Sequence, residues 1–272
     1  MQRSGELVAS LGMYDFPWTA QAHDALWQGV RSRLEAAGVA APACLTSGVD
    51  LHGLWMDPAL IVGHTCGYPY VTALREHVAL VATPIYDFPG CMGAANCSFV
   101  VANVADARND LPAFRGARAL INNPDSNSGM NRFRAIIAPI AGGKPFFSEV
   151  AISGSHAASL EAIAAGRADI ACIDCVSFAL VRRGRPEMMA NIGVVASAPM
   201  TKGLPLVMSN ALAATYLEPM RRALAEVIAD PALAPARDCL GLSGIQLLAP
   251  ADYDDIAELE RRAIALEYPV LA

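Results

Sequence analysis

The chain has 272 residues, 54% of them hydrophobic and 17% charged, with a net charge of −6. A typical soluble domain carries about 25% charged residues, so the apolar excess excludes a disordered chain and suits elements buried on both faces of a sheet. Lys144 and Lys202 are the only lysines and no basic run exists, which excludes a nucleic-acid surface and an anionic-membrane surface.

Val8–Met13 reads as a first strand and Thr19–Ala37 as a helix. Ala22, Leu26, Val30 and Leu34 fall on one face of that helix. Leu60–Gly63 is a short apolar run, Tyr68–Leu74 a helix and Val78–Thr83 a strand. Ser98–Val104 is a β-branched run, followed by a polar connector and the strand Arg118–Asn122. Next come the helix Ser128–Ile140, the strand Glu149–Ile152, the helix Ser155–Ala165 and the strand Ile170–Ile173. Ile192–Ser197 and Leu204–Ser209 are further strands, and Ala211–Ala229 and Asp252–Leu266 are closing helices. Strands alternating with helices predict a doubly wound α/β fold. The middle third carries its own strand–helix series. The expected division is therefore residues 1–97 with 198–272 in one lobe and residues 98–197 inserted as a second. Ser98–Val104 and Ile192–Ser197 would be the crossings, with a ligand cleft between the lobes.

No stretch reads as a membrane span. Phe88–Ala105 is free of charge but holds Pro89, Gly90, Gly93, Asn96 and Asn103. Met1–Ser4 and Leu7–Leu11 do not form an export signal, so the chain as given reads as cytoplasmic, or periplasmic if a leader was removed. Seven scattered cysteines form no disulfide framework, and all are expected to be free. Cys172-x-x-Cys175 is read as part of one buried strand, with no second pair to hold zinc and with Cys172 inside the apolar strand, not at the exposed helix start of a redox motif. The five histidines show no metal spacing, and no nucleophile elbow or phosphate loop is present, so no metal, cofactor or catalytic residue is expected.

Three segments carry candidate chemistry. Asn122-Asn123-Pro124-Asp125-Ser126-Asn127-Ser128-Gly129 follows a strand and opens a helix. Ser126, Asn127 and Ser128 would offer donors beside backbone N–H groups that favour an anion. Equally, Ser126 or Ser128 is an ordinary N-cap. Ser153-Gly154-Ser155-His156 repeats the arrangement, with Ser155 and His156 as donors or as a cap and a surface residue. Asp174 ends a strand and either caps the next helix or faces a ligand amine or hydroxyl. From the first lobe, Tyr14 would supply an amphipathic wall and Thr65 a hydroxyl.

These strand-end segments resemble the phosphate/phosphonate-type substrate-binding components of ABC transporters, which are type 2 periplasmic binding proteins. The resemblance rests on Gly12-Met13-Tyr14, Asn122-x-Pro124-x-Ser126-x-Ser128-Gly129, Gly154-Ser155-His156, and Gly166-Arg167-Ala168-Asp169-Ile170-Ala171 running into Asp174. It implies two doubly wound lobes around a cleft, two hinge crossings, and reversible binding of a small oxyanion by Ser126, Ser128 and His156 with Tyr14. It also implies a membrane permease as partner. Members often carry an aromatic residue before the first hinge strand, where this chain has Ala95-Asn96-Cys97-Ser98. The alternative is an enzyme on the same fold, such as a thiamine-pyrimidine synthase, with His156 and Asp174 as acid–base groups.

Overall fold

The computed structural model describes residues 6–272. The Met1–Ser4 stretch considered above lies outside the described residues. The chain divides into two compact units, residues 1–87 with 203–252 and residues 88–202 with 253–272.

Unit 1 is built on a five-stranded mixed sheet in the order β1 (Val8–Ser10), β2 (Leu60–His64), β12 (Leu206–Ser209), β3 (Val78–Tyr86), β13 (Leu242–Gln246). β1 runs parallel to β2, while β12 is antiparallel to both β2 and β3. Helix Ala20–Ala36 buries Ala22, Leu26, Val30 and Leu34, the four positions expected from its periodicity. They pack with Trp27, Ile61, Val62, Val81, Met208, Met220 and Val227 in one core. Burying a side chain of the leucine or valine class is worth about 1.5–3 kcal/mol, so this face fixes the helix on its sheet.

Unit 2 holds a second five-stranded sheet, ordered β10 (Ile192–Ser197), β6 (Ser98–Asn103), β9 (Ile170–Asp174), β7 (Arg118–Ile121), β8 (Glu149–Ile152). β9, β7 and β8 are parallel neighbours. A small three-stranded sheet joins β11 (Thr201–Lys202), β5 (Ala95–Asn96) and β4 (Cys91–Met92).

The unit limits differ from the expected 97/98 and 197/198. The strands Ser98–Asn103 and Ile192–Ser197, expected as crossings, pair antiparallel inside the unit 2 sheet. The chain passes between units after residues 87, 202 and 252 instead. Two causes lie in hydrogen bonding. β11 pairs with β5, drawing residues up to Lys202 into unit 2. The C-terminal segment is held there by Asn131 donating to the Ile256 carbonyl and Arg134 donating to the Pro269 carbonyl, both bonds between unit 2 elements. Arg134 also pairs with Glu260 at 3.2 Å.

Candidate functional site

Each of the three parallel strands of unit 2 is followed by a helix start capped by a side chain, β9 without a break and β7 and β8 after short turns. After β9, Asp174 Oδ1 accepts from Ser177 N at 2.8 Å. After β7, Ser126 Oγ accepts from Gly129 N at 3.0 Å. After β8, Ser155 Oγ accepts from Ala158 N at 3.1 Å. Helix starts carry N–H groups with no intrahelical acceptor and the positive end of the helix dipole. Adjacent parallel strands therefore gather three such ends at one edge of the sheet.

Two of these ends are joined. Ile121 and Asn122 carbonyls accept from Ser153 N and Gly154 N at 2.9 and 3.0 Å. Ser128 Oγ lies 2.8 Å from His156 Nε2, and Ser126 Oγ lies 3.4 Å from Ser128 Oγ. Because Ser126 is the cap, Ser128 is released from capping and its hydroxyl faces the imidazole. The turn Asn127–Asn131 winds as a π-helix before the α-helix Arg132–Ala141. Such wide turns occur mostly as single-turn insertions in α-helices, frequently at functional sites. Gly129 is required by crowding: a Cβ there would sit 1.8 Å from Asn122 Oδ1 and 3.2 Å from His156 Cε1.

His156 is partly exposed as a residue, but its Nδ1 is sealed from solvent with no hydrogen-bond partner. Desolvation pushes the ring down to about 4; Asp174 opposes this shift and Arg132 reinforces it. At neutral pH the ring is therefore uncharged, with one N–H donor and one acceptor nitrogen.

The sequence reading missed Arg132. It is 1% exposed, among the most buried large side chains of the chain. Its guanidinium donates to Asn96 Oδ1 at 2.7 Å, Thr201 Oγ1 at 2.6 Å and Ser98 Oγ at 3.2 Å. All three acceptors are neutral, and Arg132 Nε has no partner. Asn127 Nδ2 donates to the same Thr201 oxygen at 3.1 Å. The buried cation is thus one hydroxyl away from the serine-rich turn. Asn96 stands in the stretch where the resemblance leads one to expect an aromatic ring, and its amide also donates to Asp174 Oδ2 at 3.3 Å. No signal in the local pattern could have marked Arg132, since its partners come from residues 96, 98 and 201.

The remaining candidates separate. Asp174 uses Oδ1 as a cap and Oδ2 as acceptor for Asn96, so the capping alternative describes its contacts. Ser155 is likewise a cap. Tyr14 and Thr65 belong to unit 1 and are 2% and 0% exposed. The Tyr14 ring meets His64 and Tyr86 edge-on at 5.4 and 5.3 Å. Thr65 donates to the Cys66 carbonyl at 3.3 Å. Cys175 is not in the strand with Cys172: it is the first residue of helix Cys175–Gly184, because Asp174 caps that helix. All seven thiols are free. Among the described residues no group of three or more His, Cys, Asp or Glu side chains is placed to hold a metal ion.

No curated protein matches the sequence. Solved structures do match in fold. A binding protein component of an ABC phosphonate transporter from Pseudomonas aeruginosa superposes with a TM-score of 0.78 at 16% identity, covering 96% of this chain and 87% of that one. PhnD1 from Prochlorococcus marinus, solved with methylphosphonate, gives 0.75 at 14% identity, covering 94% and 98%. A Xanthomonas citri protein bound to ATP gives 0.70 at 13% identity, covering 97% and 98%. The fold is that of type 2 periplasmic binding proteins. The family model for periplasmic phosphonate substrate-binding proteins of ABC transporters matches residues 61–254, well over half of the sequence. The chain therefore belongs to the phosphonate-type periplasmic substrate-binding proteins of ABC transporters, a family of solute-binding components and not of enzymes.

Proposed function

We propose that the chain binds a small phosphonate- or phosphate-like oxyanion at the edge of the unit 2 sheet, gripped by Ser126, Ser128 and His156. The observation that carries this reading is the 2.8 Å contact between Ser128 Oγ and His156 Nε2, which brings two helix starts to one point. Two hydroxyls, an imidazole N–H and helix-start amides suit a tetrahedral oxyanion, and they need no net positive protein. Asn127 sets the turn by bonding Thr201 and Asn131. Arg132 supplies a buried positive charge close by that no carboxylate pairs directly, whereas the buried Arg134 is paired with Glu260, and Asp174 acts through Asn96 by holding the amide that Arg132 contacts. Ser155 fixes the direction of the His156 helix. Tyr14 and Thr65 are left out of this reading, because their side chains are held inside unit 1. The acid–base alternative loses its pair, since both Asp174 oxygens are engaged elsewhere.

Family membership implies a permease partner in general, and no helix among the described residues is long and apolar enough to cross a membrane. With its family, we propose that the chain works in the periplasm and delivers its ligand to that permease. The binding reading is tested by calorimetry with methylphosphonate and inorganic phosphate. Ser128→Ala and His156→Ala should each weaken binding by about 0.5–3 kcal/mol, the range for one hydrogen bond. Wild-type affinity in both folded variants would place the anion elsewhere.

A further inference from the structure

Three thiols meet beside the helix start at Asp174. Cys91 Sγ lies 3.6 Å from Cys175 Sγ. Cys97 also shares a hydrogen bond with the Cys175 thiol. Their approach is built by the backbone. Gly90 has φ +93°, a conformation glycine adopts at little cost. A Cβ at this position would stand 2.8 Å from Cys97 Sγ and 2.9 Å from Cys175 Cβ. The chain then turns through the β4–β5 hairpin, where Cys91 pairs with Asn96. Cys97 N donates to the Gly90 carbonyl at 2.9 Å, and Cys175 N donates to the Cys97 carbonyl at 3.2 Å. The hairpin is thereby laid on the first turn of the helix that carries Cys175.

The three sulfurs differ in reactivity. Cys91 is partly exposed, and its contact with the Cys175 thiol shifts it downward, toward the thiolate. Cys97 is pushed down to about 7, chiefly by the same neighbour, but it is buried. Cys175, in contact with both, is pushed upward and holds its proton. Cys172, sealed within β9, is pushed up to about 12 by burial and takes no part. A thiolate that a small molecule can reach, with a second thiol in contact behind it, is the arrangement disulfide exchange needs.

We propose that Cys91 and Cys175 form a redox-active pair that closes to a disulfide on meeting a small disulfide oxidant. The Cys91 thiolate attacks one sulfur of the oxidant RSSR, the S–S bond breaks, and RS⁻ leaves and takes up a proton. Cys175 then attacks Cys91 Sγ as its proton passes to the departing RS⁻. The mixed disulfide breaks and the second RS⁻ departs as a thiol. Two protein thiols are oxidised and one small disulfide is reduced to two thiols. Closure ties the hairpin that carries Asn96 to the helix start that carries Asp174. This inference stands on the sulfur geometry and the exposure of Cys91, and does not depend on the anion reading.

The test treats the full chain with oxidised glutathione, alkylates the remaining thiols after denaturation, and maps the peptides by mass spectrometry. The expected result is a Cys91–Cys175 cross-linked peptide. Cys91→Ser should lose that cross-link, while its reduced form melts as the wild type does. Three outcomes would overturn the proposal. One is a stable glutathione adduct accumulating on Cys91. Another is a dominant Cys97–Cys175 cross-link. The last is free Cys91 and Cys175 under conditions where the exposed Cys44 is modified.

Discussion

Arg132 and Asn127 donate to one oxygen, the hydroxyl of Thr201, at 2.6 and 3.1 Å. Thr201 is 2% exposed, and its own proton points to the Lys202 carbonyl at 3.3 Å. One buried hydroxyl therefore links the first turn of the site helix to the strand that ends unit 2's central segment. Thr201→Val keeps the shape and removes the acceptor. It leaves a charged donor and an amide donor facing a methyl group. Denaturant unfolding should show a loss of about 1–3 kcal/mol or more, and Thr201→Ser should recover most of it. Equal stability of the valine variant would mean that the two donors find other partners.

Arg132 also bears on binding. Its partners are all neutral, so its charge acts undiminished on nearby groups except through Asp174, one amide away. Arg132→Met keeps the stem and removes the charge. Methylphosphonate affinity should fall, by less than the roughly 1.5–3 kcal/mol of a direct hydrogen bond to a charged group, because Arg132 acts through Thr201 and Asn96. Lysine is not an adequate replacement, because a point charge cannot serve three acceptors laid out for a planar fork. A folded methionine variant with full affinity would remove Arg132 from the site.

Gly129 tests the crowding of the turn. Gly129→Ala places a methyl group where Asn122 Oδ1 now lies and presses on His156. Overpacking of this kind costs about 1–3 kcal/mol. Asn122→Ala should relieve it, so the double variant should melt above the single one. A single variant as stable as wild type would show that Asn122 swings away freely.

Much of this architecture was legible because it is local. Apolar runs such as Glu149–Ile152 and Ile192–Ser197 are strands at the expected limits. The serine-rich turn and Gly154-Ser155-His156 stand out because capping residues and glycine must occupy fixed places at a helix start. What escaped the sequence was non-local. The burial of Arg132 depends on acceptors supplied by three distant segments. The unit limits depend on a two-residue strand, Thr201–Lys202, and on a C-terminal segment anchored by Arg134. The Cys91–Cys175 contact joins residues 84 positions apart, and the one local cysteine spacing, Cys172-x-x-Cys175, does not point to it. Asp174 was open between two roles, and only the Ser177 and Asn96 contacts decide which one its oxygens serve.

Acid should destabilise the fold before its carboxylates titrate. His64 is 3% exposed, and burial pushes it down to about 3, with His23 adding to the effect. His23 is itself lowered, chiefly by burial, and His156 is lowered to about 4. The His64 and His156 rings stay neutral in the folded chain down to pH 5 and take up a proton near pH 6.5 when unfolded, and His23 is shifted in the same direction. As pH falls below that value, the unfolded state binds more protons than the folded one. The stabilisation is therefore complete above the unfolded value and is lost progressively toward the folded one. The limiting slope is about 1.4 kcal/mol per pH unit for each histidine. Unfolding measured from pH 7 down to pH 5 should show this decline. His64→Phe keeps an aromatic ring against Tyr14 and removes the titrating group. Its slope should be shallower by up to about 1.4 kcal/mol per pH unit. An unchanged slope would mean that His64 is not held neutral in the fold.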